Sequence, residues 1–143
     1  MDGFDFTAAV RVRFAETDAQ GVAHHSNYLV WFEVARVQFL EAFAGGYQRL
    51  RDEGIESLLV EAHARFIFPA VFDDRLLIHT RCLDVRGARF RFDYAVEREG
   101  SLIADGWTAH GTVDATTLRP TRTPEWLVAA IAGRGPTAPE SST

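Results

Sequence analysis

The chain has 143 residues, and a chain of that length buries about 68–70% of its unfolded surface, so one domain with a sizeable core is expected. A hydrophobic content of 47% with 24% charged residues is typical of a soluble globular protein, and a net charge of −5 argues against a nucleic-acid partner. All 15 basic residues are arginine, which reflects either coding bias or phosphate recognition by arginines that converge on one place.

The cysteine content and the N-terminus predict a cytoplasmic protein. Cys82 is the only cysteine and cannot form an internal disulfide, and its apolar-alternating surroundings predict a buried thiol. The segment MDGFDFTAAV carries acids where a signal peptide has basic residues, and it lacks an apolar core segment. The longest apolar run contains four polar residues, whereas a membrane span needs about 20 residues with few charges. We therefore expect a soluble protein without a membrane span.

The chain begins with a strand and a polar loop. Residues 7–14 alternate apolar Val10, Val12 and Phe14 with arginine, which is the period-two pattern of a half-buried strand. The loop that follows holds Asp18, Gly21, His24, His25 and Asn27.

The next element is an unusually apolar helix. Residues 28–44 are apolar or aromatic at all but four positions, and the four polar side chains do not gather on one face. A helix that is apolar on nearly every side has to be buried on nearly every side, so we expect a central core helix about 25 Å long. Gly45 and Gly46 supply its stop signal.

Four strand-like runs follow a mixed segment at 47–56, which we predict to be a turn or a short helix. In each run, alternate residues are apolar, so that one face of the strand is expected to be buried. In the first run this face extends from Val60 to Phe68. The runs are residues 58–68, 76–85, 90–96 and 102–113.

Glycines and a proline mark the remaining features. Gly106 and Gly111 in the last run predict strong curvature or a close backbone approach. The sequence Thr-Pro-Glu at 123–125 predicts the start of a helix over 126–131. Residues 133–143 are small and polar, and we expect a disordered tail that leaves a single domain at residues 1–132.

This order of elements predicts an α+β fold. Several antiparallel strands, each with one apolar face, need a cover, and the helix at 28–44 is the only candidate large and apolar enough. A curved antiparallel sheet of about five strands wrapped around one long helix is the hot-dog fold.

The loop and helix also resemble a known family. The segment ETDAQGVAHHSNY at 16–28, continued by Trp31-Phe32-Glu33 and Ala35-Arg36, resembles the 4-hydroxybenzoyl-CoA thioesterase family. Softer matches at 66–69, 73–74 and 114–120 extend the resemblance over residues 10–124. The resemblance implies a hydrolase that needs no cofactor and cleaves a thioester of coenzyme A or of acyl-carrier protein. It also implies a homodimer or homotetramer with its sites at the subunit interface, which would manage the unpaired sheet edges.

By resemblance, Asp18 is the catalytic residue and the backbone N–H of His25 is the oxyanion donor. The residue types support this chemistry, because negative charge develops on the thioester oxygen and a helix N-terminus supplies N–H donors without side chains. A carboxylate a few residues upstream can act as a general base on water or as a nucleophile. Gly21 allows the loop to turn tightly. The alternative for Asp18 is a turn or capping acid.

The other loop residues have two interpretations each. His24 either lines the substrate pocket or is structural, and no ligand spacing nearby matches a metal motif, so no metal is expected. Asn27 is either the helix cap, which its residue type favours, or a polar group of the thioester site. Tyr28 belongs with the predicted substrate-binding residues.

Two pairs of residues outside the loop enter by resemblance. His79 and Thr80 lie on a strand that lines the neighbouring subunit's site in this family. Arg86 and Arg89 flank a turn where family members carry basic residues for the phosphates of coenzyme A, and arginine suits phosphate geometry. Solvated hairpin arginines are the alternative.

Other functions for the same fold stay open at this point. A second hot-dog branch has its catalytic acid in the central helix, but Glu33 has Arg36 three residues on and an ion pair is the simpler prediction. A hot-dog dehydratase or hydratase has a proline-rich loop that residues 25–27 lack. A non-catalytic acyl-thioester binding module is the third possibility.

Overall fold

One long helix packs against one face of an antiparallel sheet. The computed structural model of the chain describes residues 1–132 and 140–141. The expected disorder of the tail therefore falls outside the described residues, apart from a strand of two residues. In chain order the elements are β1 (Phe6–Arg11), α1 (Ser26–Ala44), α2 (Gly46–Asp52), β2 (Ile55–Phe66), β3 (Arg75–Arg86), β4 (Arg89–Arg98), β5 (Ser101–Asp114), α3 (Glu125–Ala132) and β6 (Glu140–Ser141).

The strand order across the sheet is β2-β5-β4-β3-β1-β6. Strands β1 to β5 pair antiparallel, and β6 adds two residues parallel to β1. The prediction of consecutive antiparallel strands is confirmed for β3, β4 and β5, which two tight turns connect. It is wrong for β2, which pairs with β5. After β2 the chain therefore crosses to the far side of the group formed by β5, β4 and β3, where β3 begins.

The predicted central helix is confirmed, and it begins two residues earlier than the apolar run. Its sheet-facing side buries Trp31, Phe32 and Phe39 at 2% exposure or less. Phe32 stacks on Tyr94 of β4 with ring centroids 4.3 Å apart, an arrangement that adds to the free energy gained by burial alone. The helix ends where predicted, because Gly45 adopts a φ of 81° and its N–H bonds the Leu40 carbonyl.

The close backbone approach predicted for the last strand is confirmed at Gly106. A Cβ atom there would lie 2.2 Å from the His63 carbonyl oxygen and 2.8 Å from a ring carbon of Phe32. The same construction at Gly111 finds its nearest atom at 3.5 Å, which is ordinary van der Waals contact. Of these two glycines, only Gly106 is therefore required by close packing.

Three expectations about burial are wrong. Phe14 is 74% exposed, because β1 ends at Arg11 and a short 3₁₀ turn follows. Most of strand β2 is exposed, with Val60 at 45% and Phe66 at 50%, because it is an edge strand that α1 covers only in part. The side of α1 that faces away from the sheet is also open, and Val30 there is 48% exposed.

The predicted ion pair within α1 is also wrong. Arg36 is buried against the sheet and donates to the Tyr94 hydroxyl at 3.3 Å, while Glu33 is exposed. The two side chains therefore leave the helix on different sides. None of the helices in the described part of the chain is both long and apolar enough to cross a membrane.

Candidate active site

A tight hairpin that leads into the N-terminus of α1 carries Asp18. Thr17 pairs antiparallel with Ala23, and the Asp18 N–H donates to the Val22 carbonyl at 2.9 Å. The turn closes where the Gly21 N–H donates to the Asp18 carbonyl at 3.0 Å, with Gly21 at a φ of 82°. The predicted need for glycine at the turn is confirmed, since other residues adopt this φ only at a cost.

Only one oxygen of the Asp18 carboxylate is hydrogen-bonded within its own loop. The side chain is half-buried, and its Oδ1 accepts the Gln20 N–H at 2.8 Å. Among the residues that the structure describes, Oδ2 accepts no hydrogen bond and the carboxylate forms no ion pair. One Asp18 oxygen therefore stabilises the turn, and the other is available for chemistry.

The first residues of α1 leave one backbone donor uncommitted. The His24 N–H donates to the Glu16 carbonyl at 2.8 Å, and the Asn27 N–H donates to the His24 carbonyl at 3.0 Å. Between them, the His25 N–H donates to no acceptor within residues 1–132 and 140–141. It stands at the N-cap of a 19-residue helix, where the backbone dipoles favour negative charge.

The two loop histidines are exposed, and their rings lie against each other with centroids 4.0 Å apart and planes tilted by 32°. His24 Nδ1 accepts the Ser26 N–H at 3.2 Å and lies 2.8 Å from the Ser26 hydroxyl, so this imidazole caps the first turn of α1. The His25 ring lies 6.5 Å from the Phe66 ring instead. Among the described residues, no group of three or more His, Cys, Asp or Glu side chains could hold a metal ion.

Asn27 does not cap the helix, so the first of its two interpretations is wrong. Its side-chain amide donates to the Glu16 carbonyl at 2.9 Å and to the His24 carbonyl at 3.2 Å, and the N-cap position belongs to His25. The donor group of Asn27 therefore ties the loop to the helix. Tyr28 is 2% exposed with its ring against Trp31, and this burial raises the pKa of the hydroxyl.

An apolar groove of about 280 Å³ opens beside the loop. One wall is the loop with His25 and Tyr28, and the other is the end of β2 with its extension through Phe68. Phe68 is 56% exposed, and the Tyr28 ring contacts Phe66 with centroids 4.9 Å apart. The groove brings one predicted substrate-binding side chain, that of Tyr28, next to the His25 donor.

Glu16 is a site residue that the sequence analysis missed. It is 4% exposed, although the loop around it is polar, and its carboxylate accepts the Trp31 indole N–H at 3.1 Å. It also caps the short 3₁₀ turn, where Arg13 N–H donates to it at 2.8 Å. An acid three residues after the first residue of a turn can accept that residue's N–H, and this local signal could have drawn attention to this position.

The other predicted residues lie away from this hairpin within one chain. His79 is on the outer face of the sheet, between Thr7 Oγ1 at 3.0 Å and Glu97 Oε1 at 2.9 Å. Thr80 points to the opposite, inner face and is fully buried. One ligand on one side of the sheet therefore cannot contact both side chains.

Arg86 and Arg89 are exposed and flank the turn between β3 and β4. That turn is at the far end of β4 from the loop, since the other end of β4 holds Arg98, which donates to the Pro69 carbonyl at 2.8 Å. A strand of 10 residues spans roughly 30 Å. The two arginines do not approach Asp18 of their own chain.

Comparison with known proteins agrees with this architecture. The family model of the thioesterase-like superfamily matches residues 12–131. The acyl-CoA thioesterase YbgC of Haemophilus influenzae is 31% identical over 131 residues, which are 91% of this chain and 95% of that protein. A hypothetical protein of Thermus thermophilus has a solved structure with a TM-score of 0.84 and 38% identity, covering 90% of this chain and 98% of that one.

A third comparison concerns a named thioesterase structure. The 1,4-dihydroxy-2-naphthoyl-CoA thioesterase of Synechocystis aligns with a TM-score of 0.83 and 26% identity, over 90% of this chain and 96% of that one. The fold is therefore the hot-dog fold of thioester hydrolases, and this chain is an enzyme of that class. It belongs to the thioesterase-like superfamily, as the resemblance of its loop and helix implied.

Proposed function

We propose that the protein hydrolyses acyl-CoA thioesters to a free acid and coenzyme A, with Asp18 and the His25 N–H as its catalytic groups. The observation that carries the proposal is the pairing of a half-buried carboxylate with a free oxygen and an uncommitted N–H at a helix N-terminus, on one hairpin. The relatives named as acyl-CoA and 1,4-dihydroxy-2-naphthoyl-CoA thioesterases support the substrate class.

The chemistry follows from these two groups. The thioester oxygen accepts a hydrogen bond from the His25 N–H, and the charge that develops on it in the tetrahedral intermediate strengthens this bond. One such donor is typically worth about 3–4 kcal/mol of transition-state stabilisation. Asp18 takes a proton from the attacking water, or attacks the carbonyl itself and forms an anhydride that water then cleaves. Both routes expel the thiolate of coenzyme A, and a single turnover in isotope-labelled water distinguishes them.

The acyl group occupies the apolar groove between the loop and the end of β2 in this proposal. The lining is apolar and aromatic apart from His25, so a neutral acyl group fits it. His24 lies at the rim, where its exposed ring meets polar parts of the substrate.

The active enzyme is a homodimer joined along β2. This strand has 12 residues, forms one edge of the sheet and exposes Leu58, Leu59 and Val60 at 43–51%. Long apolar edges of this kind bind a further strand. Antiparallel pairing with the same strand of a second copy would cover these side chains and close the groove at Phe66.

In the dimer, the turn that carries Arg86 and Arg89 can contact the substrate of the partner subunit. Arg86 and Arg89 are about a strand's length from Asp18 of their own chain, so any contact with the phosphates of coenzyme A is made in the partner subunit's site.

A thiol-release assay across acetyl, medium-chain, long-chain and aromatic CoA esters tests the proposed function. We expect stoichiometric release of coenzyme A and free acid with at least one class of ester. Binding of acyl-CoA without thiol release would instead identify a non-catalytic binding module. Loss of the enone absorbance of an enoyl-CoA without thiol release would identify a hydratase.

A further inference from the structure

Glu16 is a buried acid at the base of the Asp18 hairpin. Its side chain is 4% exposed and accepts hydrogen bonds on both oxygens. Oε1 accepts the Arg13 backbone N–H at 2.8 Å, while Oε2 accepts the Trp31 indole N–H at 3.1 Å and an Arg13 guanidinium N–H at 3.4 Å. Burial of a carboxylate is costly unless such donors satisfy it, so this position is built to hold one.

The backbone of Glu16 is held as firmly as its side chain. The carbonyl accepts the His24 N–H at 2.8 Å and the Asn27 side-chain amide at 2.9 Å. Asn27 and Trp31 are four residues apart on α1 and therefore lie on the same face of the helix. Glu16 is thus bonded to α1 at two points, once through its carboxylate and once through its carbonyl.

These bonds join the two catalytic groups of the proposed function. Asp18 follows Glu16 by two residues on one strand of the hairpin, and His25 follows His24, which pairs with Glu16 on the other strand. A shift of Glu16 relative to α1 therefore moves the Asp18 carboxylate relative to the His25 N–H. We propose that Glu16 is a positioning residue, which with Trp31 and Asn27 fixes the geometry between these groups.

The inference rests on the proposed function, because it assigns Glu16 no contact with the substrate. A buried carboxylate is a weak stabilising device, since an apolar side chain of similar volume beside Trp31 would avoid the desolvation cost. What the Glu16 carboxylate adds is a fixed orientation, because the Trp31 indole N–H and the Arg13 N–H hold the plane of the carboxylate. A positioning role accounts for the acid where a purely structural role does not.

The test compares Glu16→Gln and Trp31→Phe with a matched pair elsewhere. Trp126 donates its indole N–H to Glu53 at 2.9 Å, which is the same type of bond beyond the other end of α1. We expect Glu16→Gln and Trp31→Phe to lower kcat by ~10- to 100-fold with KM nearly unchanged, the usual cost of misplacing a catalytic group by about 1 Å. Glu53→Gln and Trp126→Phe should leave kcat within about twofold of the wild type, well short of the effect expected for misplacement.

A double-mutant cycle with Asp18→Asn separates positioning from loss of folded enzyme. Glu16 acts through Asp18, so Glu16→Gln should lower the residual rate of the Asp18→Asn enzyme by less than about twofold, as coupled residues do. An equal loss in both backgrounds overturns the proposal, and so does an unchanged kcat in both Glu16→Gln and Trp31→Phe. Full activity of Asp18→Asn alone refutes the proposed function itself, whereas an inactive Asp18→Asn beside a fully active Glu16→Gln refutes only the positioning role.

Discussion

His110 makes the core of this enzyme sensitive to acid. It lies on β5 facing α1 at 2% exposure, and its Nε2 is 2.7 Å from Thr108 Oγ1. That hydroxyl is 2.6 Å from the Tyr94 hydroxyl, which accepts a guanidinium N–H from Arg36. A guanidinium can only donate. Every hydrogen bond from Arg36 to His110 is therefore satisfied when the Tyr94 hydroxyl donates to Thr108 and the Thr108 hydroxyl donates to a neutral imidazole. Burial, and after it the charge of Arg36, lowers the pKa of His110 to about 3.

The size of the effect follows from the two pKa values. The unfolded chain, with a histidine pKa of about 6.5, binds a proton that the folded chain excludes until the pH approaches about 3. The free energy of unfolding is therefore highest above about pH 6.5 and falls by about 1.4 kcal/mol for each pH unit below it. Between about pH 7 and about pH 5, His110 alone removes roughly 2 kcal/mol.

Urea unfolding at fixed protein concentration measures this loss for the wild type, His110→Gln and His63→Gln. His63 is an exposed histidine on β2 and serves as the matched control. We expect His110→Gln to be less stable near neutral pH, since it loses the stacking on Phe90, but to lose about 2 kcal/mol less than the wild type on acidification. A parallel decline of all three proteins would refute the assignment of the acid sensitivity to His110.

Three further predictions concern the interface, the substrate phosphates and the core. Leu59→Arg on the β2 edge should convert a dimer into a monomer by light scattering and abolish most of the activity, and an active dimer would contradict the proposed interface. Arg86→Glu combined with Arg89→Glu should raise KM for an acyl-CoA by about 10-fold or more, yet leave KM for the matching N-acetylcysteamine thioester unchanged, because that substrate has no phosphates. An equal rise for both substrates would exclude phosphate binding. Gly106→Ala should lower the free energy of unfolding by ~1–3 kcal/mol through overpacking, and Gly111→Ala by clearly less; equal losses in urea unfolding would contradict the close contact.

The sequence predicts the central helix well because its signals are local. The apolar run from Tyr28 to Ala44 identifies α1, and the glycine after it determines where the helix ends. Alternation also identifies β3, β4 and β5, each of which buries one face against that helix. In these elements the periodicity of the sequence and the packing of one chain agree.

The same pattern misleads for β2. Alternate residues from Val60 to Phe68 predict a buried face, but the strand lies at the sheet edge, where α1 covers only part of it. Alternation of apolar and polar residues shows that one face of a strand is apolar, but it does not show which element covers that face. The exposed apolar side of α1, with Val30 at 48%, has the same explanation.

The candidate site could be located from the sequence, but its internal contacts could not. Asp18 and Gly21 follow from turn chemistry, and the helix start follows from the apolar run. The role of Asn27 depends on a hydrogen bond to Glu16, 11 positions away, and that of Glu16 on a bond from Trp31, 15 positions away, and no local pattern encodes either contact. For this reason the sequence leaves open whether Asn27 caps its own helix or belongs to the thioester site, whereas in the structure its amide binds the loop in front of the helix.

The most direct test of the central claim is the steady-state turnover of Asp18→Asn on the best acyl-CoA substrate of the wild type. The amide keeps the size of the side chain and an oxygen that can accept the Gln20 N–H, so the hairpin should stay folded. We predict a fall in kcat of ~10²–10⁴-fold, the scale of a lost general base, with an unchanged circular dichroism spectrum. Turnover equal to that of the wild type would contradict the account, because the thioester would then be hydrolysed without the one carboxylate on which the mechanism depends.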